Sequence, residues 1–316
     1  MERIMCGVND NIDISIVIPC KNGEKKIKEN LTAIFSQKTQ YAFEVIIVDS
    51  GSNDNTLRIV RDFPVRLYQI PPTEFGHGRT RAWAGQQALG RYVVYITQDA
   101  VPASESWLEK LVEPFLLDES IMGVFGIHYP YPDCNPFDTR DLKRHFQNFG
   151  QDVLIQCLDE PERYGEDVAY RQWLGFFSDN NACVRKTAFD RYPYPDVNFA
   201  EDQVWAKMIL EAGYKKAYTP YAPVYHSHNY QPYEYFDRAF DEFQALYHIY
   251  QYRPFVSFHS LCRFICAVFW TDVRYLRSLP MRRSEKLRWA KFSFLKNIYR
   301  FWGAYRGGEA ACRRYR

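Results

Sequence analysis

A chain of 316 residues, 47% hydrophobic and 17% aromatic, can bury a sizeable core as one large α/β domain with an appendage or as two modest domains, which excludes global disorder. The formal net charge of +2 hides an asymmetry, because residues 260–316 carry 14 Lys+Arg against 3 Asp+Glu, a net of +11 that leaves −9 on the rest. A cationic tail on an acidic body suits an anionic surface such as lipid headgroups or nucleic acid, or else is a solvated helical face.

At the start, MERIMCGVNDNID lacks an apolar h-region and does not read as a signal peptide. Residues 14–18 (ISIVI) are a β-branched run ending in Pro19, the pattern of a buried parallel strand. A helix follows with Ile27, Leu31, Ile34 and Phe35 on one face. Residues 43–48 (FEVIIV) give a second buried strand, ending at Asp49 and the turn-rich SGSNDNT, where Asp54 or Asn55 can cap the next helix. A third strand is expected over 65–70, a third helix over 79–89 and a fourth strand over 92–97 (YVVYIT), closed by Gln98-Asp99. Strands alternating with helices at this spacing predict a doubly wound, mostly parallel sheet with its functional loops at the strands' carboxyl ends.

From 121 to 171 the pattern loosens to one strand (122–128) and a polar, Pro-containing stretch. Order returns with a strand at 181–184 and a helix over 201–212 ended by Gly213. Beyond Tyr230 the chain turns helical, aromatic and basic, so the division expected is 1–230 and 231–316. The eight cysteines form no CxxC pair and read as free thiols of a reducing cytosol. No 18-residue window is free of charge, so no spanning helix is expected and the protein should be cytoplasmic or peripheral.

Several places could carry chemistry, and each has an ordinary alternative. Asp49 at a strand end could accept hydrogen bonds from a base or ribose, or simply form the turn. Asp99 could hold Mg²⁺ or Mn²⁺, which take oxygen ligands, although many strands end in Asp. Glu201-Asp202 opens an apolar-faced helix, where acids are favoured by the helix dipole; the pair also suits a general base with an orienting partner. His226 and His228 lie two apart on an extended segment and point to opposite faces, so one at most faces a given site. The string Gly76-His77-Gly78-Arg79-Thr80-Arg81 looks like a phosphate cradle but lacks the Rossmann fingerprint.

Taken in order, IVIPCKNGE, VIIVDSGSNDNT, HGRTRAWAG, the strand ending TQDA and FAEDQVWAKMILEAGYK resemble glycosyltransferase family 2 over roughly residues 12–230. FGHGRTR, TQDAVP, FSDNNACVRKTAF and YHSHNY are most similar to bacterial rhamnosyltransferases of surface-polysaccharide assembly. The resemblance implies a GT-A fold followed by a helical, basic, aromatic-rich extension. It implies donor contacts at Pro19, Lys21, Asn22, Asp49, Ser50, Ser52, Gln98 and Asp99, with Arg79 or Arg81 facing phosphate. Acceptor contacts are expected at Trp173, Asp179, Asn180 and Asn181. The family's DxD motif falls on Thr97-Gln98-Asp99, which leaves Asp99 as its carboxylate ligand for Mg²⁺ or Mn²⁺, with His226 preferred to His228 as the late histidine. Asp202 would be the catalytic base and Glu201 its partner in an inverting transfer. The implied donor is dTDP-L-rhamnose, with a UDP-sugar second, and the acceptor a growing glycan or lipid-linked glycan.

The basic tail would then meet anionic lipid on the inner face of the cell membrane, or pack on the protein, or form a homodimer interface. Nucleic acid is not expected as a partner, given the acidic body and the lack of a recognition motif. A GT-A scaffold that only binds polysaccharide is the non-catalytic alternative.

Overall fold

In the computed structural model the run ISIVIPC becomes β1 (Ile14–Cys20), buried along nearly its whole length as a strand covered on both faces must be. The described residues are 12–314; the segment read as no signal peptide, with Cys6, falls within 1–11 and lies outside them apart from its last two residues. In chain order come α1 (Ile27–Phe35), β2 (Phe43–Asp49), α2 (Thr56–Val60), β3 (Arg66–Gln69), α3 (His77–Gln86), β4 (Tyr92–Ile96), β5 (Val101–Pro102), α4 (Trp107–Val112) and β6 (Ile121–Tyr129). Then follow α5 (Pro136–Gln147), β7 (Leu154–Gln156), α6 (Pro161–Glu166), α7 (Val168–Gly175), β8 (Asn181–Arg185), α8 (Lys186–Arg191), α9 (Glu201–Glu211) and β9 (Lys215–Tyr225). Three long helices close the chain: α10 (Glu234–Tyr250), α11 (Phe258–Ser278) and α12 (Arg283–Arg314).

These residues form two units, one of 12–131, 142–160 and 174–227, the other of 132–141, 161–173 and 228–314. Two inner segments thus group with the C-terminal helices, a discontinuity that a linear division at 230 does not contain.

All strands belong to the first unit, in one sheet ordered β3-β2-β1-β4-β8-β6-β9-β5, with β7 also on β9. β3, β2, β1 and β4 run parallel. The other half is mixed: β8 is antiparallel to β4 and β6, β6 is parallel to β9, and β5 and β7 are antiparallel to β9. The chain leaves β1 toward β2 and β3 and returns to its other side as β4, so the switch point lies at the carboxyl ends of β1 and β4, where open α/β sheets bind ligands. One sheet face buries Ile14, Ile16, Ile18, Ile47 and Val94 against Ile27, Leu31 and Ile34 of α1 and Trp107 of α4. Each such aliphatic side chain contributes about 1.5–3 kcal/mol.

The stretch expected to be loose contains α5 and β7, both missed by periodicity because α5 is largely polar and β7 has three residues. α3 begins at His77 rather than Arg79. Asn55 sits at the cap position of α2 without a side-chain capping bond, its amide donating instead to Glu24 at 3.0 Å, while Asp54 accepts from the Thr56 N–H at 3.0 Å.

In the second unit, Phe255 and Leu261 pack with Ala239 of α10 and Ala304 of α12. Gly303 and Gly307 bring α12 so close to the carbonyls of Phe236 and Phe240 that a Cβ would collide with them. Two carboxylates are tied down there, Asp272 buried and Asp138 partly exposed. Asp138 accepts from Asn135 Nδ2 at 2.8 Å, from the Tyr235 hydroxyl and from Lys296 Nζ at 2.5 Å. Asp272 pairs with Arg140 at 2.8 Å and accepts from Ser293 at 2.6 Å and Asn297 at 3.0 Å. Among the described residues no helix is long and apolar enough to cross a membrane, and the seven described cysteines are free.

Candidate active site

Three loops meet at the carboxyl ends of β2, β1 and β4, in the order the sheet dictates. Gln98 ties two of them: its Oε1 accepts the Lys21 N–H at 2.9 Å and its Nε2 donates to the Lys21 carbonyl at 3.0 Å. The loop after β1 is laced to that after β2, since Ser52 Oγ accepts the Asn22 N–H (2.8 Å) and Asn22 Oδ1 accepts the Asn53 N–H (2.9 Å). Asn22 holds a left-handed φ of 50°, uncommon outside glycine and a mark of a backbone fixed by its surroundings. Lys21 and Asn22 are exposed, whereas Ser50 is buried with its hydroxyl donating to the Cys20 carbonyl. Asp49 is fully buried too. Its Oδ2 accepts the Gly51 and Ser52 N–H groups at 3.0 Å and its Oδ1 the Ser52 hydroxyl, so it builds the turn that presents Ser52.

At the end of β4, Asp99 is partly exposed and its carboxylate lies 3.7 Å from His226 Nε2. The Tyr131 hydroxyl donates to the Asp99 carbonyl at 3.0 Å. On its other side, His226 Nδ1 is 3.4 Å from Asn180 Nδ2. A carboxylate oxygen and an imidazole nitrogen this close suit a divalent cation, and they belong to an acid–histidine group able to hold one. His228 opens the second unit, where its ring stacks on Tyr230 at 5.0 Å.

A second group of charges surrounds Arg81. Expected with Arg79 to face phosphate, Arg81 is instead buried, with Nη1 2.8 Å from Glu201 Oε1 and Nε 3.2 Å from Asp179 Oδ2. Arg79 remains half exposed and pairs with Asp196 at 3.0 Å. The approach is close because Gly78 on α3 has no side chain: a Cβ there would strike the Pro195 carbonyl and press on Glu201. Ala200, at the left-handed φ of 58°, turns the chain into α9 and sets the direction of its first residues. Asp202 accepts the Asp179 N–H at 3.1 Å and the Gln203 N–H at 2.8 Å. Burial, reinforced by the neighbouring Glu201 charge, raises the Asp202 carboxyl to about 7. Asp179, which accepts the Tyr194 hydroxyl at 2.6 Å, is raised well above the carboxylate range, chiefly by burial.

Three consecutive residues leading into β8 therefore serve three places. Asp179 enters the Arg81 cluster, Asn180 meets His226, and Asn181 goes into the core. There the Asn181 Oδ1 accepts the Trp107 indole N–H (2.9 Å) and its amide donates to the Ala222 carbonyl (2.7 Å). Asn181 and Asp179, expected as acceptor contacts, are thus buried structural or cluster groups, while Asn180 is partly exposed. Trp173 falls in the second unit, stacked on Tyr170 at 5.9 Å. Sequence reasoning missed Asn30, whose amide donates to the Ala100 carbonyl at 2.5 Å and holds the loop of Asp99. A polar residue beside the apolar stripe of α1 was its signal. It also missed Tyr131 and Tyr194, which nothing local distinguishes.

The sequence pattern described as Glycosyl transferase family 2 matches residues 15–193. O-antigen chain rhamnosyltransferase WbaN of Salmonella anatum is 32% identical over 230 residues, covering 72% of this chain and 70% of its own length. RfbN of Salmonella typhimurium, of the same description, is 33% identical over 232 residues with the same coverage. Among solved structures, S. aureus TarS 1-349, also determined in complex with UDP, superposes with a TM-score of 0.54 at 17% identity, over 96% of this chain and 92% of that one. Glucosyl-3-phosphoglycerate synthase from Mycobacterium tuberculosis, in complex with Mn²⁺, UDP-glucose and glycerol 3-phosphate, does so with a TM-score of 0.52 at 17% identity, over 76% and 80%. These likenesses establish the fold as GT-A.

Proposed function

The chain belongs to glycosyl transferase family 2 and is a glycosyltransferase, and from that premise we propose that it transfers L-rhamnose from dTDP-L-rhamnose to a hydroxyl of a growing bacterial surface polysaccharide. The two Salmonella proteins named as O-antigen rhamnosyltransferases support that choice of sugar. A UDP-sugar is the second reading, drawn from the UDP complexes of the solved neighbours. Asp202 carries the mechanism: a partly exposed carboxylate at a helix N-terminus, titrating near neutrality, is placed to accept a proton at physiological pH. Asp202 takes the proton of the acceptor hydroxyl as that oxygen bonds to the anomeric carbon. The bond from that carbon to the diphosphate breaks on the opposite face, so configuration inverts. Glu201, fixed by Arg81, orients the start of α9. Asp99 and His226 would hold Mg²⁺ or Mn²⁺, which when bound neutralises charge on the departing diphosphate. Arg79 is the exposed guanidinium of α3 proposed to meet that diphosphate.

The C-terminal helices fit a role at an anionic membrane surface. Trp270 of α11 and Leu287 and Phe294 of α12 are exposed, and the ring of Phe269 meets that of Phe294 at 5.4 Å. Arg263, Arg274, Arg288 and Lys291 are exposed on the same two helices, and each cation near anionic lipid contributes about 1 kcal/mol. Sedimentation with anionic vesicles at low salt, and release as salt rises, is the expected behaviour; indifference to such vesicles would make these helices a packing or oligomer surface.

The deciding experiment offers the protein dTDP-L-rhamnose and a panel of UDP-sugars with Mn²⁺ and a polysaccharide acceptor. Turnover of the rhamnosyl donor, abolished by EDTA and restored by Mn²⁺, is expected. Turnover of a UDP-sugar alone would replace the donor, and full activity after exhaustive chelation would remove the metal from the mechanism.

A further inference from the structure

We propose that the Arg81 cluster holds one proton on Asp179 at neutral pH, and that Arg81 and Asp179 act as positioning residues that leave Asp202 as its unpaired carboxylate. The inference rests on the reading of Asp202 as general base. Asp179, Glu201 and Asp202 share one guanidinium, and three ionised carboxyls so close to one another, two of them buried, cannot all persist.

The geometry says which of them gives way. Glu201 has a direct bond from Arg81 Nη1 at 2.8 Å, which holds it as the anion. Asp202 accepts two backbone N–H groups at the start of a helix, where a negative charge is favoured. Asp179 has neither. Its Oδ1 accepts the Tyr194 hydroxyl, but its Oδ2 is buried without a hydrogen-bond partner; Arg81 Nε, 3.2 Å away, is out of line and equally unpartnered. An orphaned carboxylate oxygen in a dry site is where a proton resides at least cost. None of the remaining groups facing the cluster is a lysine or an arginine. They are Tyr95 of β4, which donates to the Arg81 carbonyl at 3.1 Å, the Tyr194 phenol, and His77, whose Nδ1 is 3.5 Å from Arg81. Asp190 is paired with Lys186, and Tyr95 is raised chiefly by burial, with Asp190 adding to the effect. The titration directions are compatible with this, since burial raises Asp179 as well as Asp202.

With Asp179 neutral, Arg81 and Glu201 cancel, and no cation pairs directly with Asp202 among the described residues. In the transfer step the acceptor proton passes to Asp202, the acceptor oxygen bonds to the anomeric carbon, and the electron pair of the broken bond leaves on the diphosphate. The Asp179 proton does not move.

Two readouts test this. The infrared band of a protonated carboxyl should be present at pH 8 in the wild type, persist in Asp202→Asn and Glu201→Gln, and vanish in Asp179→Asn. Its absence from the wild type, or its loss in Asp202→Asn, overturns the proposal, and the wild-type spectrum stands even if a variant fails to fold. In the pH profile of kcat/KM, Asp179→Asn should leave the acid limb within about 0.3 unit, because one neutral group replaces another. Arg81→Gln should raise that limb by about one unit or more, as a cation near the base is lost. An acid limb that falls by a unit in Asp179→Asn means Asp179 is charged, and the idea fails. If Asp202→Asn keeps full turnover while the infrared band stays, the base assignment has failed and the proton on Asp179 has not.

Discussion

The two units each bury a set of charges, and the sets are built to opposite rules. In the second unit, Asp138 has Lys296 and Asp272 has Arg140, and hydroxyl and amide donors bind the other oxygen of each carboxylate. Burial alone would raise Asp138, but Lys296 and the surrounding donors win and hold it below the ordinary value. In the first unit three carboxyls face one guanidinium, and the same burial raises Asp202 and Asp179. Compensated charge fixes a fold, and a deficit of compensation leaves a group ready to exchange a proton. Burial alone therefore does not mark a functional acid; the local ratio of anions to cations does.

The sharpest way to break the comparison is on the balanced side. Lys296→Met strands Asp138 without its cation and should cost about 3–5 kcal/mol in urea unfolding, with the acid limb of the activity profile unmoved. A cost below about 1 kcal/mol would mean the pair is not buried in solution. On the unbalanced side, Asp202→Asn should lower kcat by about 10²-fold or more while donor binding by calorimetry persists. Near-normal turnover would end its role as base.

The same variant reads the sign of the linkage. A carboxyl raised from 3.8 to about 7 on folding stabilises the fold below pH 4 and loses that contribution as pH rises to 7. Asp202→Asn should therefore narrow the fall in Tm between pH 5 and pH 8. For Asp138, whose value is lowered, the contribution is present above about pH 4 and lost on acidification, the opposite slope. Smallest of the set, Glu201→Gln should cost about tenfold in kcat, through a weaker hold of Arg81 on α9. A loss as large as that of Asp202→Asn would exchange their roles.

Most of the parallel half of the sheet was legible, because β1, β2 and β4 are dominated by β-branched and aromatic residues and end in turn residues. The mixed half was less so. β7 and α5 hold few apolar residues, and no local pattern tells that β8 runs antiparallel between β4 and β6. Within the site, acids at strand ends and at a helix start announce themselves by position, which is why Asp99 and Asp202 were singled out. Arg81 misled for a physical reason. A guanidinium beside glycines at a helix start looks the same whether it meets phosphate or carboxylates supplied 98 and 120 residues later, from Asp179 and Glu201. Asp49 shows the converse, since a buried strand-end acid whose oxygens serve its own turn has the same sequence as one that binds a ligand.

The peptide unit of Asp179 has a use beyond its place in the cluster. Its N–H points at Asp202 Oδ2, and the next side chain along touches His226. An amide hydrogen-bonded to a titrating carboxylate shifts its resonance with the state of that carboxylate, so the nitrogen-15 signal of residue 179 is a native indicator of the base. Followed during titration with acid, and again with Mn²⁺ replaced by a diamagnetic ion, this one signal would tell whether filling the Asp99–His226 end is felt at the Asp202 end, with no label added to the protein.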